Sequence, residues 1–170
     1  MLRVDLGRLD REGSLLVEAE VPADDVVWQD SGLEWDGPVD VRLRASFAGS
    51  GEVVVRGQVT GDLRQECRRC LRPVAGKFDE EVTMVFSADT TAENSDEGHV
   101  FVFDSVRRDL NLNDAVRQEV ILAMNPYVVC DPECRGLCPR CGANLNEGAC
   151  GCTAEEVETR WQALRALKDR

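Results

Sequence analysis

Eight cysteines occur in this chain, and six of them fall within Cys130–Cys152, in the run CDPECRGLCPRCGANLNEGACGC. The run holds a C-P-x-C-G turn at Cys138–Cys141 and a C-x-C pair at Cys150 and Cys152, preceded by Cys130 and Cys134. A separate C-x-x-C pair, Cys67 and Cys70, lies far upstream. Few large apolar side chains accompany these cysteines, so the segment cannot order itself around a hydrophobic core of its own. Four thiolates held in turns of this spacing are the usual ligand set of structural Zn²⁺. Eight ligands suffice for two such ions; the sequence calls for one or two. Gly136, Gly142, Gly148 and Gly151 supply the backbone freedom that tight chelating turns need.

Other uses of cysteine fit less well. Disulfides need an oxidising compartment, and the charged start MLRVDLGRLDREG has no apolar signal core. A cytoplasmic, bacterial-type protein is expected. Redox-active C-x-x-C pairs sit on a βαβ unit, whereas Cys67 and Cys70 follow a strand pattern. Two ligand pairings satisfy the spacing. Cys138/Cys141 can join Cys150/Cys152, leaving Cys67/Cys70 to meet Cys130/Cys134; alternatively Cys130/Cys134 joins Cys138/Cys141.

Alternation dominates the middle of the chain. Val39, Val41, Leu43, Ala45 and Phe47 alternate with polar residues, and so do Val53, Val55, Val59 and Leu63, across a turn at Gly49-Ser50-Gly51. These runs predict a hairpin. A third strand spans Pro73–Phe86, and shorter ones Ser14–Val21 and His99–Asp104. A helix is predicted over 111–125, with Asn111 or Asn113 as its cap and Leu112, Val116, Val120 and Met124 on one face; Pro126 ends it. Thr153–Glu156 reads as a capping box opening a last helix with Trp161 and Leu164 on its apolar side. The expected fold is α+β, mainly β: a small antiparallel sheet or barrel-like core with two helices and a cysteine-rich zinc-binding segment. Residues 1–129 form the β-rich core with one helix, and 130–170 the cysteine-rich segment and last helix, packed as one unit.

Net charge is −12, which argues against wholesale binding to nucleic acid. The charge is uneven, however. Arg64, Arg68, Arg69 and Arg72 flank the upstream cysteine pair, and residues 87–98 are acidic with no base. Arginine outnumbers lysine 18 to 2, an excess that suits phosphate recognition and that genomic base composition equally explains. No catalytic constellation is present: His99 is the single histidine, and no phosphate loop or nucleophile elbow occurs. No segment is apolar enough to span a membrane, and nothing points to a small-molecule substrate.

Several motifs taken together resemble the YceD family, the large ribosomal RNA subunit accumulation proteins of bacteria. They are C-x-x-C-L-x-P (Cys67, Cys70, Leu71, Pro73), a helix ending in Asn-Pro at Pro126, and C-x3-C-x-G-L-C-x-x-C-G-x-x-L-N. The last of these runs from Cys130 and Cys134 through Gly136, Leu137, Cys138, Cys141, Gly142, Leu145 and Asn146 to Cys150 and Cys152. Arg160, Trp161 and Leu164 complete the likeness, which covers nearly the whole chain. Many relatives have Asp-Pro-Arg where this chain has Glu158-Thr159-Arg160.

The resemblance implies a non-enzymatic role in accumulation of 23S ribosomal RNA and in large-subunit assembly. The partner would be ribosomal RNA or a basic large-subunit ribosomal protein. Arg64, Arg68, Arg69 and Arg72 are the candidate RNA- or partner-binding residues, and the acidic stretch is the candidate contact for a basic protein. The competing reading is a thiol- or zinc-dependent regulator unrelated to ribosomes.

Overall fold

The computed structural model describes residues 2–49, 51–88, 100–104 and 108–152. The acidic stretch from residue 89 onward, His99 and the last helix with Arg160, Trp161 and Leu164 lie outside them. Strand β1 (Arg3–Asp5) runs into helix α1 (Leu6–Glu12), followed by β2 (Ser14–Val21), a 3-10 turn at Val26–Trp28, and β3 (Glu34–Trp35). The long strands β4 (Val39–Phe47), β5 (Val53–Glu66) and β6 (Pro73–Ser87) come next, then β7 (Val100–Val102), β8 (Asp109–Asn111) and α2 (Asn113–Ala123).

The main sheet has the order β2-β4-β5-β6-β7, with β3 also paired to β5. It is an open sheet and not a barrel. All of its pairings are antiparallel except that of β7, which runs parallel to β6. Alternation explains which face is buried. Val39, Val41, Leu43 and Ala45 on β4, with Val53, Val55 and Val59 on β5, are fully buried. Their neighbours Arg42, Arg44, Arg56 and Gln58 face outward and are exposed. Phe78, Val82, Met84 and Phe86 extend the buried face onto β6, as their phase predicts. One face of the sheet is therefore core and the other open.

Helix α2 closes the core against β6, burying Leu112, Val116 and Val120. Neither Asn111 nor Asn113 caps it: the N-cap is Leu112, with no side-chain cap bond. Asn111 Oδ1 accepts from the Asn113 amide at 3.0 Å. Asn113 Oδ1 instead accepts from the Leu2 amide at 3.0 Å in a buried site, fastening β1 alongside β8. Helix α1 has no strong periodic signature in sequence; Asp5 caps it by accepting from Arg8 N at 2.7 Å, and Gly13 ends it in the left-handed region. Of the two helices expected from sequence, α2 is present and the last lies outside the described residues. α1 is an addition.

Trp35 lies across β5 at Gly61, where an added Cβ would come within 3.0 Å of the indole. The glycine makes room for a Trp28–Trp35–Phe78 ring cluster with centroid spacings of 5.2 and 5.7 Å.

Candidate metal centres

β5 and β6 form one uninterrupted hairpin, in register from Val53↔Phe86 to Glu66↔Pro73. Its tip is Cys67–Arg72. The first cysteine pair is thus carried on the longest ladder of the molecule, beyond the edge of the core. The tip is tied by Cys67 N to Arg72 O at 2.8 Å and Leu71 N to Cys67 O at 2.9 Å. Leu71 takes a φ of 60° to close this turn. That conformation is uncommon for a residue with a γ-branched side chain.

The chain after α2 docks on this tip. Arg68 N donates to Val128 O at 2.9 Å, and Leu137 N to Arg69 O at 3.0 Å. The Arg69 guanidinium reaches the carbonyls of Pro132 and Cys134 at 3.0 and 2.9 Å. Cys130 and Cys134 are thereby brought to Cys67 and Cys70. The Cys67–Cys134 and Cys70–Cys130 sulfurs lie 3.9 and 3.5 Å apart, and all four lie within 4.8 Å of one another. Cys138, Cys141, Cys150 and Cys152 form a second cluster under the same limit. Of the two pairings the sequence allows, the structure takes the compact one.

These spacings suit a tetrahedral ion. Four sulfurs at 2.3 Å from one metal are about 3.8 Å from each other. Donors around the sulfurs also fit thiolates. Arg69 N points at Cys67 Sγ at 3.4 Å, Asn146 Nδ2 at Cys134 Sγ at 3.4 Å, and Arg72 Nη2 at Cys130 Sγ at 3.5 Å. Burial pushes the Cys67 thiol up, but backbone N–H groups of Cys130, Arg69 and Cys70 outweigh it and bring it down to about 6. Cys138 is likewise brought down to about 6 by the amides of Cys141 and Arg140. Cys70 is lowered too, chiefly by the Arg72 amide, whereas other sulfurs of the clusters go the other way. The adjoining Cys141 sulfur drives Cys152 up to about 12. At Cys130 the Arg72 guanidinium lowers the thiol, yet burial and the sulfurs of Cys70, Cys134 and Cys67 carry it to about 11. The surroundings thus favour thiolate at Cys67 and Cys70 in the first cluster and at Cys138 in the second, and oppose it at Cys130, Cys150 and Cys152. Either cluster could hold a metal ion.

The two centres differ in setting. Cys67, Cys70 and Cys134 are buried beside Val74, Val129 and Leu137. In the second cluster only Cys138 is buried, while Cys141 and Cys152 are exposed. This cluster is organised by its own turns: Cys138 N to Ala143 O at 2.8 Å, and Gly142 N to Cys138 O at 2.9 Å. Asn146 links the two, accepting from Arg135 N at 2.7 Å while donating to Cys134 Sγ.

The four arginines that the sequence singles out are placed unequally. Arg64 pairs with Asp36 at 2.5 Å, Arg69 holds backbone carbonyls, and Arg72 is spent on Cys130. Only Arg68 among the four has no side-chain partner in the described residues. The acidic stretch lies almost entirely outside the described residues. No helix among those residues is long and apolar enough to cross a membrane.

An open β-sheet that carries two four-cysteine clusters at one end defines a thiolate-scaffold protein. The family model for "large ribosomal RNA subunit accumulation protein YceD" matches residues 55–168, from within β5 through both clusters. The chain belongs to the YceD family. Relatives include an uncharacterized protein of Mycobacterium tuberculosis, 35% identical over 131 residues, which are 74% of this chain and 60% of the relative. A Mycobacterium leprae protein is 32% identical over 66% of this chain and 52% of its own. The Arabidopsis thaliana chloroplastic YCED homolog 1, named a large ribosomal RNA subunit accumulation protein, is 32% identical over 37% of this chain and 20% of its own. The chain thus spans about three-fifths of the mycobacterial relative's length. No solved structure matches.

Proposed function

We propose that this chain is a non-enzymatic factor supporting accumulation of large-subunit ribosomal RNA, and that its two cysteine clusters each bind Zn²⁺ as a structural ion. The carrying observation is the pair of closed four-sulfur clusters in a chain whose family is named for that role. Four protein sulfurs fill a tetrahedral shell and leave no position for substrate or water, the arrangement of a structural site. Zinc would fix the hairpin tip against residues 128–152, which have little apolar packing of their own. Partners would be ribosomal RNA or a large-subunit ribosomal protein, met in the cytoplasm.

The test has two parts. Protein purified without chelators should carry about two zinc per chain, one per closed four-sulfur site. Cells lacking the chain should accumulate less 23S rRNA, restored by wild type but not by a Cys67→Ser/Cys138→Ser variant. Zinc-free protein, or normal rRNA in the deleted strain, would refute the reading. The exposure of Cys141 and Cys152 favours one competitor, a thiol-based regulator. Rapid modification of these two thiols with release of one metal equivalent would support it; protection of all eight would oppose it.

A further inference from the structure

Arg44 and Arg56 stand directly opposite each other on β4 and β5, both exposed on the open face of the sheet. Arg42, two residues from Arg44 on β4, points to the same side. Like charges facing each other across a ladder weaken it, and this chain has acids in plenty, 32 against 20 bases. Several other arginines are paired, Arg8 with Glu12, Arg64 with Asp36 and Arg117 with Asp114. Here they are not. Arg42 and Arg56 have no ion-pair or hydrogen-bond partner among the described residues, and Arg44 reaches only the neutral Ser14 Oγ at 3.5 Å. Across the four strands the central row reads Leu16, Arg44, Arg56, Thr83. The central row itself holds no acid: Glu20, Asp40 and Asp79 lie two rows away, while in the intervening row Glu18 stands directly opposite Arg42 and Glu81 opposite Gln58.

We propose that this arginine triad is a binding surface for the phosphate backbone of RNA, and that it is the point at which the chain meets ribosomal RNA. The inference rests on the ribosomal reading above for the identity of that RNA. Arg44 and Arg56 are about 5 Å apart at Cβ, and Arg42 and Arg44 about 7 Å apart along the strand. One short run of phosphates can touch all three. Arginine presents several planar donors to phosphate oxygens. The rows across β2, β4, β5 and β6 carry no aromatic side chain on this face, so the face offers phosphate contacts without a base-stacking platform. Contacts of this kind position the protein and do not read sequence. The acids on either side restrict the footprint to about three phosphates, which reconciles local attraction with a net charge of −12. At the cysteine tip Arg64, Arg69 and Arg72 already hold partners within the chain and Arg68 alone does not among the described residues, whereas the sheet groups three arginines without an ion pair.

The experiment measures binding of the full chain to single-stranded transcripts of large-subunit rRNA across a salt series. Three phosphate contacts give a slope of log affinity against log salt of about −2, at roughly −0.7 per contact. The Arg42→Thr/Arg44→Thr/Arg56→Thr variant should lose about 100-fold in affinity at 0.1 M salt and nearly all of the slope, and Arg56→Thr alone about 0.7 of the slope. The triple variant should melt no lower than wild type, since it relieves a like-charge pair; this separates lost binding from lost fold. Unchanged affinity in the triple variant, loss caused instead by Arg68→Gln, or capture of an acidic protein with no RNA would each overturn the surface. The ribosomal role is read independently. If deleting the chain lowers 23S rRNA and the triple variant restores it fully, the surface fails and the role stands. If deletion leaves rRNA unchanged, the role fails.

Discussion

Gly136 sits at the seam between the two cysteine clusters, two residues after Cys134 and two before Cys138. Its φ is 75°, and a Cβ added there would lie 2.9 Å from the Arg69 carbonyl oxygen. That oxygen accepts the Leu137 amide at 3.0 Å, one of the bonds that hold the cysteine-rich segment on the hairpin tip. Gly136→Ala therefore carries two costs: roughly 1–2 kcal/mol for a left-handed alanine, and about 0.5–1.5 kcal/mol as the Leu137–Arg69 bond is stretched. Gly142 provides the control. Its φ is 73°, but no atom lies within 4 Å of an added Cβ, so Gly142→Ala carries only the first cost. If docking and metal binding are coupled, a total of about 1.5–3.5 kcal/mol weakens one metal site by roughly 10- to 400-fold, against roughly 5- to 30-fold for the control. Competition of each zinc-loaded variant against a chromogenic chelator reads both numbers. Equal weakening in the two variants would refute the proposed contact between Gly136 and Arg69 as the device that joins the segment to the sheet.

Four further outcomes are expected. Stripping metal under reducing conditions should abolish hydrogen-exchange protection at the Leu137 and Cys138 amides while those of β4 and β5 stay protected; protection retained throughout would show that packing alone orders the segment. Leu43→Ala, at a fully buried position of β4, should cost about 2–5 kcal/mol in denaturant unfolding, with both metal equivalents still bound in the folded fraction. The indole nitrogens of Trp28 and Trp35 are buried without a hydrogen-bond partner among the described residues. Trp35→Phe should therefore stay within about 1 kcal/mol of wild type, the relief of an orphan donor offsetting lost area, whereas Trp35→Ala should lose about 3–5 kcal/mol. Asn113→Ala leaves the Leu2 amide unpaired and should cost about 1–3 kcal/mol, seen as faster exchange at Leu2 and Val4 before the main sheet opens.

Local pattern was enough for much of the fold. Val39–Ala45 alternates strictly and Val53, Val55, Val59 and Leu63 keep the same phase, so strand, hairpin and buried face follow from a period of two; Phe47, expected on that face, is exposed at the strand's end. Other features left no local trace. Helix α1 is seven residues long, too short to show a periodic face, and is held by Asp5 and by packing. β7 is three residues long and parallel to β6, a partnership no short-range signal specifies. Asn113 resembles a helix cap in sequence, yet its acceptor serves Leu2, 111 residues away. At the cysteine site the clustering of sulfurs was legible, but what the arginines around them touch was not. Clustering in sequence marked Arg64, Arg69 and Arg72, which stay exposed but contact Asp36, backbone carbonyls and a sulfur. Arg42, Arg44 and Arg56 become a cluster only when β4 and β5 pair.

Residue spacing by itself settled that β5 ends in a turn with two sulfurs close together, because a C-x-x-C needs only its own backbone to converge them. Which pair it meets was decided by tertiary structure alone. The strand ladder carries the tip to where the chain leaving α2 must pass, so Cys130 and Cys134 arrive there first. Cys138, Cys141, Cys150 and Cys152 then close on one another across a loop short enough to need no other support.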